Sequence, residues 1–113
     1  MPGFVADRLL PARARTPLDY GAWAVANLHL RSRPKEVFGA PAAWDSVIRD
    51  SPSLGYVSAT HQRGRETGPT VWTWFYPFTG PGDVARKQVI GATYEDWAEV
   101  ALRDLERPHP DLR

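Results

Sequence analysis

The chain has 113 residues, with 14 lysines and arginines, 13 acidic residues and a formal net charge of +1. This length allows one ordinary domain. The near-neutral charge argues against binding to a phosphate backbone, so we expect no nucleic-acid partner. Cysteine is absent, which excludes a disulfide framework, a cysteine-ligated zinc or iron–sulfur centre and a thiol nucleophile.

The sequence shows no targeting or membrane signal. The apolar pieces within residues 1–15 are short and are interrupted by Pro2 and Pro11, unlike a secretory leader. No apolar run approaches the roughly 20 residues that span a bilayer. We therefore expect no membrane span and, by default, a cytoplasmic location. Residues 4–10 predict one turn of amphipathic helix, which Pro11 ends.

Residues 21–30 predict the first strand, because small and large residues alternate and turns bound the run. Both faces of this strand are largely apolar, which predicts a strand inside the sheet with both sides covered. A turn-rich connector follows. Residues 42–50 then place Trp44, Val47 and Ile48 at helical spacing, so a short helix and an irregular loop both fit.

Two further strands are predicted at residues 54–62 and 70–78. The third strand is rich in the β-branched and aromatic residues that strands favour. The polar loop between them, residues 63–69, indicates a hairpin with a connection longer than the common ones. Pairing in register would bring Tyr56 close to the aromatic side chains of the third strand.

Two helices follow the predicted sheet. Asp83 is placed to cap the first, over residues 83–90. The second covers residues 94–106, and the hydroxyl of Thr93 can accept a hydrogen bond from the backbone amide of Asp96 at its start. This order of elements predicts an α+β fold, with an antiparallel β-sheet and the helices on one side of it.

An aromatic stripe on the third predicted strand is the most unusual feature of the sequence. Trp72, Trp74 and Tyr76 share one face, close to Tyr56 in the predicted pairing. Such a stripe can form a wall for a flat or apolar ligand, or it can pack under the helix that carries Trp97. Packing is the favoured interpretation, because aromatic stripes usually belong to a core.

Other patterns give little support for catalysis. The histidines are widely spaced and no carboxylate lies at ligand spacing, so no metal site is predicted. Ser58 and His61 lie on opposite faces of their predicted strand, which argues against a nucleophile–base pair. His61 is more often a structural residue in such a place, with a pH-responsive role as the alternative. Residues 80–82, Gly-Pro-Gly, lack the other residues of a phosphate-binding loop.

A resemblance to a known protein family is carried by four segments of the chain: DYGAWAVANLHLRSRP, APAAWDSVIRDSPSLGYVSATHQRG, TVWTWFYPFTG and YEDWAEVALRDLERPHPDL. They resemble the later part of bacterial FAD-dependent oxidoreductases of the flavin-containing amine oxidase superfamily. The nearest branch is the spermidine-dehydrogenase-like one, which is often exported by the twin-arginine route. The most specific segment is SPSLGYVSATHQ, and the similarity extends from about Phe4 to Leu112.

This resemblance implies a substrate domain, in which an antiparallel sheet with flanking helices lies against the flavin ring of the complete enzyme. It implies FAD as the cofactor of the parent and an amine-like small molecule as the substrate. It gives a cavity-lining role to Tyr56, His61, Trp72, Trp74 and Tyr76. No catalytic residue is carried over.

The chain also departs from this family. It has no glycine-rich ADP-binding fingerprint, and neither Lys35 nor Lys87 matches the flavin-contacting lysine of many relatives. We therefore expect residues 1–113 to be a single substrate-domain-like fragment that retains no cofactor, is inactive alone and self-associates through an exposed former interface. The alternative is a self-contained module that uses its aromatic sheet face for ligand binding or dimerisation.

Overall fold

The computed structural model describes residues 3–9, 20–35, 43–64 and 67–112. Within them a four-stranded antiparallel sheet and three α-helices confirm the predicted α+β class. In chain order the elements are α1 (Gly3–Leu9), β1 (Ala22–Leu30), β2 (Asp45–Ser46), β3 (Tyr56–Ser58), a 3₁₀-helix (Ala59–Arg63), β4 (Thr70–Phe78), α2 (Gly82–Gly91) and α3 (Tyr94–Glu106). None of the described helices is long and apolar enough to cross a membrane.

The longest pairing in the sheet joins β1 to β4. The strand order is β1-β4-β3-β2, so β4 lies between β1 and β3. On one side of β4, Ala26 is opposite Trp74, and on the other side Tyr56 is opposite the same tryptophan. The predicted pairing of the second and third sequence strands, with Tyr56 beside the aromatic residues, is therefore confirmed.

The position of β1 corrects the expectation of an interior strand. β1 is at the edge of the sheet, with β4 on one side. Ala24 is buried, whereas its neighbours Trp23 and Val25 are 52% and 53% exposed. The apolar character of both faces therefore reflects one buried face and one apolar face that stays partly exposed. The residue pattern does not distinguish this arrangement from burial on two sides.

The strand predicted at residues 54–62 is shorter in the structure. β3 ends at Ser58, and the 3₁₀-helix Ala59–Arg63 follows. The hydroxyl oxygens of Ser58 and Thr60 lie 3.0 Å apart, and those of Thr60 and Thr70 lie 2.6 Å apart. These contacts between short polar side chains stabilise a turn in place of further strand pairing.

For residues 42–50 the sequence was compatible with either a short helix or an irregular loop, and the structure has a short strand there. Residue 42 lies outside the described residues, and Asp45–Ser46 form β2, which pairs with β3. Gly55 makes this close pairing possible, because its φ is +81° and a Cβ atom at that position would collide with the carbonyl oxygen of Ser46. Only glycine adopts this conformation without strain and leaves the space empty.

The two helices after the sheet begin in different ways. Pro81 is at the N-cap of α2, which has no side-chain cap, so the prediction that Asp83 caps this helix was wrong. Asp83 lies within the first turn instead, where its charge complements the helix dipole.

The start of α3 confirms the predicted cap. The hydroxyl of Thr93 accepts a hydrogen bond of 3.2 Å from the amide of Asp96, and the amide of Thr93 donates one of 2.9 Å to the Asp96 carboxylate. This reciprocal pair is a capping box. Hydrogen bonds from the backbone and the side chain of Thr93 hold the pKa of Asp96 below its ordinary value.

The core lies between α3 and one face of the sheet. It consists of Ala24, Ile48, Tyr56, Trp72, Trp74, Ala101 and Leu105. Trp72 and Trp74 are each 1% exposed, and Leu105 is fully buried. The indole nitrogen of Trp97 donates a hydrogen bond of 3.2 Å to the carbonyl of Val89, which ties α3 to α2. The two helices thus form one layer, which packs against the sheet.

Candidate functional site

The aromatic stripe of β4 lies in the core. The rings of Tyr56 and Trp72 are stacked, with centroids 4.2 Å apart. Trp74 contacts Tyr76 at 5.5 Å, and Tyr76 contacts Trp97 of α3 at 5.9 Å. Tyr56, Trp72 and Trp74 are buried, and Tyr76 is half-buried. These placements favour the packing interpretation of the stripe over the ligand-wall interpretation.

His61 is the remaining residue of the predicted cavity set. It belongs to the 3₁₀-helix that follows β3, and its side chain lies outside the described residues. Its role stays a prediction.

Asp104 is the centre of a polar cluster that joins α3 to the segment before β3. Its carboxylate accepts hydrogen bonds of 2.6 Å from the hydroxyls of Ser51 and Ser53 and one of 2.9 Å from the indole nitrogen of Trp74. Burial raises the pKa of Asp104, but these hydrogen bonds and the nearby Arg107 guanidinium outweigh burial and hold the pKa below its ordinary value. The hydrogen bonds therefore favour the ionised carboxylate, which joins α3 to the sheet and to the segment before β3.

A second polar contact in the core joins Tyr56 to His109. The hydroxyl oxygen of Tyr56 lies 2.7 Å from Nε2 of His109, and the histidine ring lies 4.7 Å from that of Trp72. The amide of His109 donates to the carbonyl of Leu105 at the end of α3. This contact fastens the segment after α3 to β3, which gives His109 a structural role.

A groove runs along the outer edge of β1 and the flank of α3. Its volume is about 690 Å³, within the range of small-molecule sites. Besides β1 itself, the described residues that line it are Trp74, Val89, Tyr94, Trp97, Ala98, Ala101 and Leu102. Of the four predicted cavity residues whose side chains the structure describes, one, Trp74, lines this groove. The other residues that line the groove were not predicted from the sequence, because the groove exists only where β1 is an edge strand.

The face of the sheet opposite α3 is a second apolar surface, which we call the open face. It consists of Trp23, Val25, Asn27 and His29 of β1 with Val71, Thr73 and Phe75 of β4. Trp23 meets Phe75 edge to face, with ring centroids 6.5 Å apart. The hydroxyl of Thr73 donates a hydrogen bond of 2.8 Å to the side-chain oxygen of Asn27. The open face thus combines apolar side chains with the polar side chains of Asn27, His29 and Thr73.

No protein-family model, curated protein or solved structure matches this chain. The resemblance to flavin-containing amine oxidases therefore stays a prediction.

The described residues do not fit the binding of a whole FAD molecule. Among the described residues that line the groove there is no lysine or arginine, so none of them offers a cationic side chain to a pyrophosphate. Both helices beside the groove begin with acids, namely Asp83 in α2 and Glu95 and Asp96 in α3. These carboxylates repel the anion that a helix N-terminus otherwise attracts. Within the same described residues, no cluster of histidines and carboxylates could hold a metal ion.

Proposed function

We propose that this chain is the substrate-domain part of an FAD-dependent oxidoreductase of the amine-oxidase type and is inactive by itself. The open face supports the proposal. Trp23 and Val25 are half exposed there, although the other face of the same sheet has a core of its own. Soluble proteins rarely expose a contiguous apolar surface unless it meets a partner or a ligand.

In this proposal the open face meets the part of the enzyme that holds the flavin. The resemblance places the aromatic stripe against the flavin ring, but the stripe lies beneath α3. In this proposal the open face, on the other side of the sheet, therefore lies towards the flavin instead. Its apolar side chains exclude water, and the Asn27–Thr73 pair supplies polar groups without a charge. The FAD-dependent chemistry and the amine-like substrate class rest on the resemblance, and the open face supports a surface that meets a partner.

The deciding experiment is to determine the coding sequence on both sides of this chain. The proposal expects a strand followed by a glycine-rich dinucleotide-binding turn on the N-terminal side, since the flavin must be held by other residues. If neither flank encodes such a turn, the proposal is wrong.

Dye binding tests the open face in the purified chain. An apolar fluorescent dye should bind, and Val25→Thr should weaken that binding because it makes the open face more polar. The matched control is Val47→Thr, since Val47 is an exposed valine outside β1 and β4. Equal dye binding by both variants would contradict a role for the open face. A flavin absorption band in the purified chain would contradict the expectation that this chain retains no FAD.

The groove favours a second candidate function, a self-contained module that binds a small apolar ligand. Its volume suits such a ligand, and Trp97 lies in its wall. Titration with apolar ligands should then shift tryptophan emission, and Leu102→Asp should abolish the shift. A sharp thermal transition of the isolated chain, together with ligand binding that Leu102→Asp abolishes, would favour this function over the first.

A further inference from the structure

We propose that two copies of this chain associate through β1, whose outer edge pairs antiparallel with the outer edge of β1 in the second copy. A two-fold axis perpendicular to the sheet would relate the copies and make one continuous sheet. This pairing uses the edge of β1, whereas the proposed function uses the open face.

The two edges of the sheet differ in how they are protected. β2, at one edge, has two residues, of which Asp45 is charged. β1, at the other edge, has nine residues, and none of them is charged or proline. Edge strands normally carry charges, prolines or bulges, or are very short, because their unpaired backbone groups otherwise pair with another chain. The described residues of β1 carry none of these features, and α2 and α3 pack against the strand.

The sequence of β1 is suited to pairing with itself. If the two-fold axis passes beside Ala26, then Ala24 is opposite Leu28 of the second copy and Ala22 is opposite Leu30, in both directions across the axis. Each pair on the α3 side joins a small side chain to a large one, which two neighbouring strands can pack without overlap.

The same register suits the open-face side. Val25 is then opposite Asn27 of the second copy, and Trp23 is opposite His29. No lysine, arginine, aspartate or glutamate meets a like charge across the axis. Pairing along β1 would form roughly eight to ten backbone hydrogen bonds.

The groove provides space for the partner strand. Under this symmetry the helices of both copies lie on the same side of the sheet. Leu28 and Leu30 of the second copy therefore enter the groove of the first, next to Trp97 and Leu102. The groove is apolar and about 690 Å³ in volume, so these leucines remove apolar surface from water on both copies.

Sedimentation of the full chain tests the pairing. The unsubstituted protein should be a dimer, and Val25→Lys should raise the dissociation constant about tenfold or more, because it places two lysines beside the axis on a strand edge. Val71→Lys is the matched control, because it adds the same charge to the open face on the central strand β4. It should leave the dimer intact, and circular dichroism should show that both variants fold.

A mixing experiment tests the register. Asn27→Asp keeps the oxygen that accepts from Thr73 but places two carboxylates near the axis, so this variant should also dissociate. When it is mixed with Val25→Lys, lysine meets aspartate across the axis and a heterodimer should form.

Three results would overturn the proposal. They are a monomeric unsubstituted chain, a dimer that Val71→Lys breaks as readily as Val25→Lys, and a mixture that forms no heterodimer. The second result would point to association through the open face, and none of the three bears on the flanking-sequence test of the proposed function.

Discussion

The indole nitrogen of Trp74 donates a 2.9 Å hydrogen bond to Oδ2 of Asp104, which links the centre of the sheet to the helix that covers it. Ser51 and Ser53 donate to the same carboxylate. One side chain of α3 thus holds β4 and the segment before β3 in place. These two serines begin SPSLGYVSATHQ, the most specific segment of the family resemblance, and they have a structural role here.

Replacing Asp104 should destabilise the fold. Asp104→Asn turns an acceptor of three hydrogen bonds into a group that presents an amide to hydroxyl and indole donors. Its side chain is only 10% exposed, so we expect a loss of about 2–3 kcal/mol in the free energy of unfolding. Urea denaturation measures it. Asp83→Asn, at an exposed site in α2, should have little effect, and equal losses in both variants would contradict the role of Asp104.

The same carboxylate should make stability depend on acid pH. The pKa of Asp104 is lowered in the folded chain from its ordinary value of 3.8. The stabilisation is therefore fully present well above the ordinary value and is lost as the pH falls through it towards the folded pKa. The difference in unfolding free energy between the unsubstituted chain and Asp104→Asn should shrink over this range. A difference that is constant with pH would show that the charge is not involved.

Gly55 should tolerate no side chain. Gly55→Ala combines a positive φ with a collision against the carbonyl oxygen of Ser46, so we expect a loss of about 3 kcal/mol or more. Gly68→Ala is the control, because Gly68 also has a positive φ but nothing lies within 4 Å of its Cβ position. That variant should cost about 1 kcal/mol. Thermal unfolding of both variants separates the collision from the backbone strain.

The contact between Tyr56 and His109 should contribute measurably to stability. Tyr56→Phe keeps the stacking on Trp72 but removes the hydroxyl that lies 2.7 Å from His109. We expect a loss of about 1–2 kcal/mol by chemical denaturation. Tyr94→Phe removes a hydroxyl from an exposed side chain and should change stability far less; the reverse order of effects would refute this assignment.

The capping box should stabilise α3. Thr93→Ala removes the acceptor for the amide of Asp96, which should cost about 1 kcal/mol. Thr93→Ser keeps the hydroxyl and should retain most of the stability. Circular dichroism during thermal unfolding compares the two variants, and equal melting temperatures would count against the cap.

The elements with strong local signals were predicted from the sequence. β4 and α3 have the predicted bounds, because their patterns each favour one structure: β-branched and aromatic alternation for the strand, and a cap with helical spacing for the helix. The end of β3 was not predicted, because it depends on contacts of Ser58 and Thr60 that form only in the folded chain.

The candidate site was harder to predict. An apolar strand has the same pattern at an edge as in the interior, so neither the groove nor the open face follows from the sequence of β1. The sequence contains one indication of the role of Asp104. This residue lies three positions after Ala101 and one before Leu105, on the buried side of α3. An acid in that place predicts a buried partner, but only the structure identifies Ser51 and Ser53.

The order of the strands has a consequence for biosynthesis. β4 is the last of the four strands to be synthesised, yet both β1 and β3 pair with it. While the ribosome is still adding residues of β4, the apolar length of β1 has emerged with nothing to pair with, and a long-range pairing of this kind forms slowly. Until β4 is complete, the newly made polypeptide therefore exposes an unpaired apolar strand, the kind of surface that makes folding intermediates prone to aggregate.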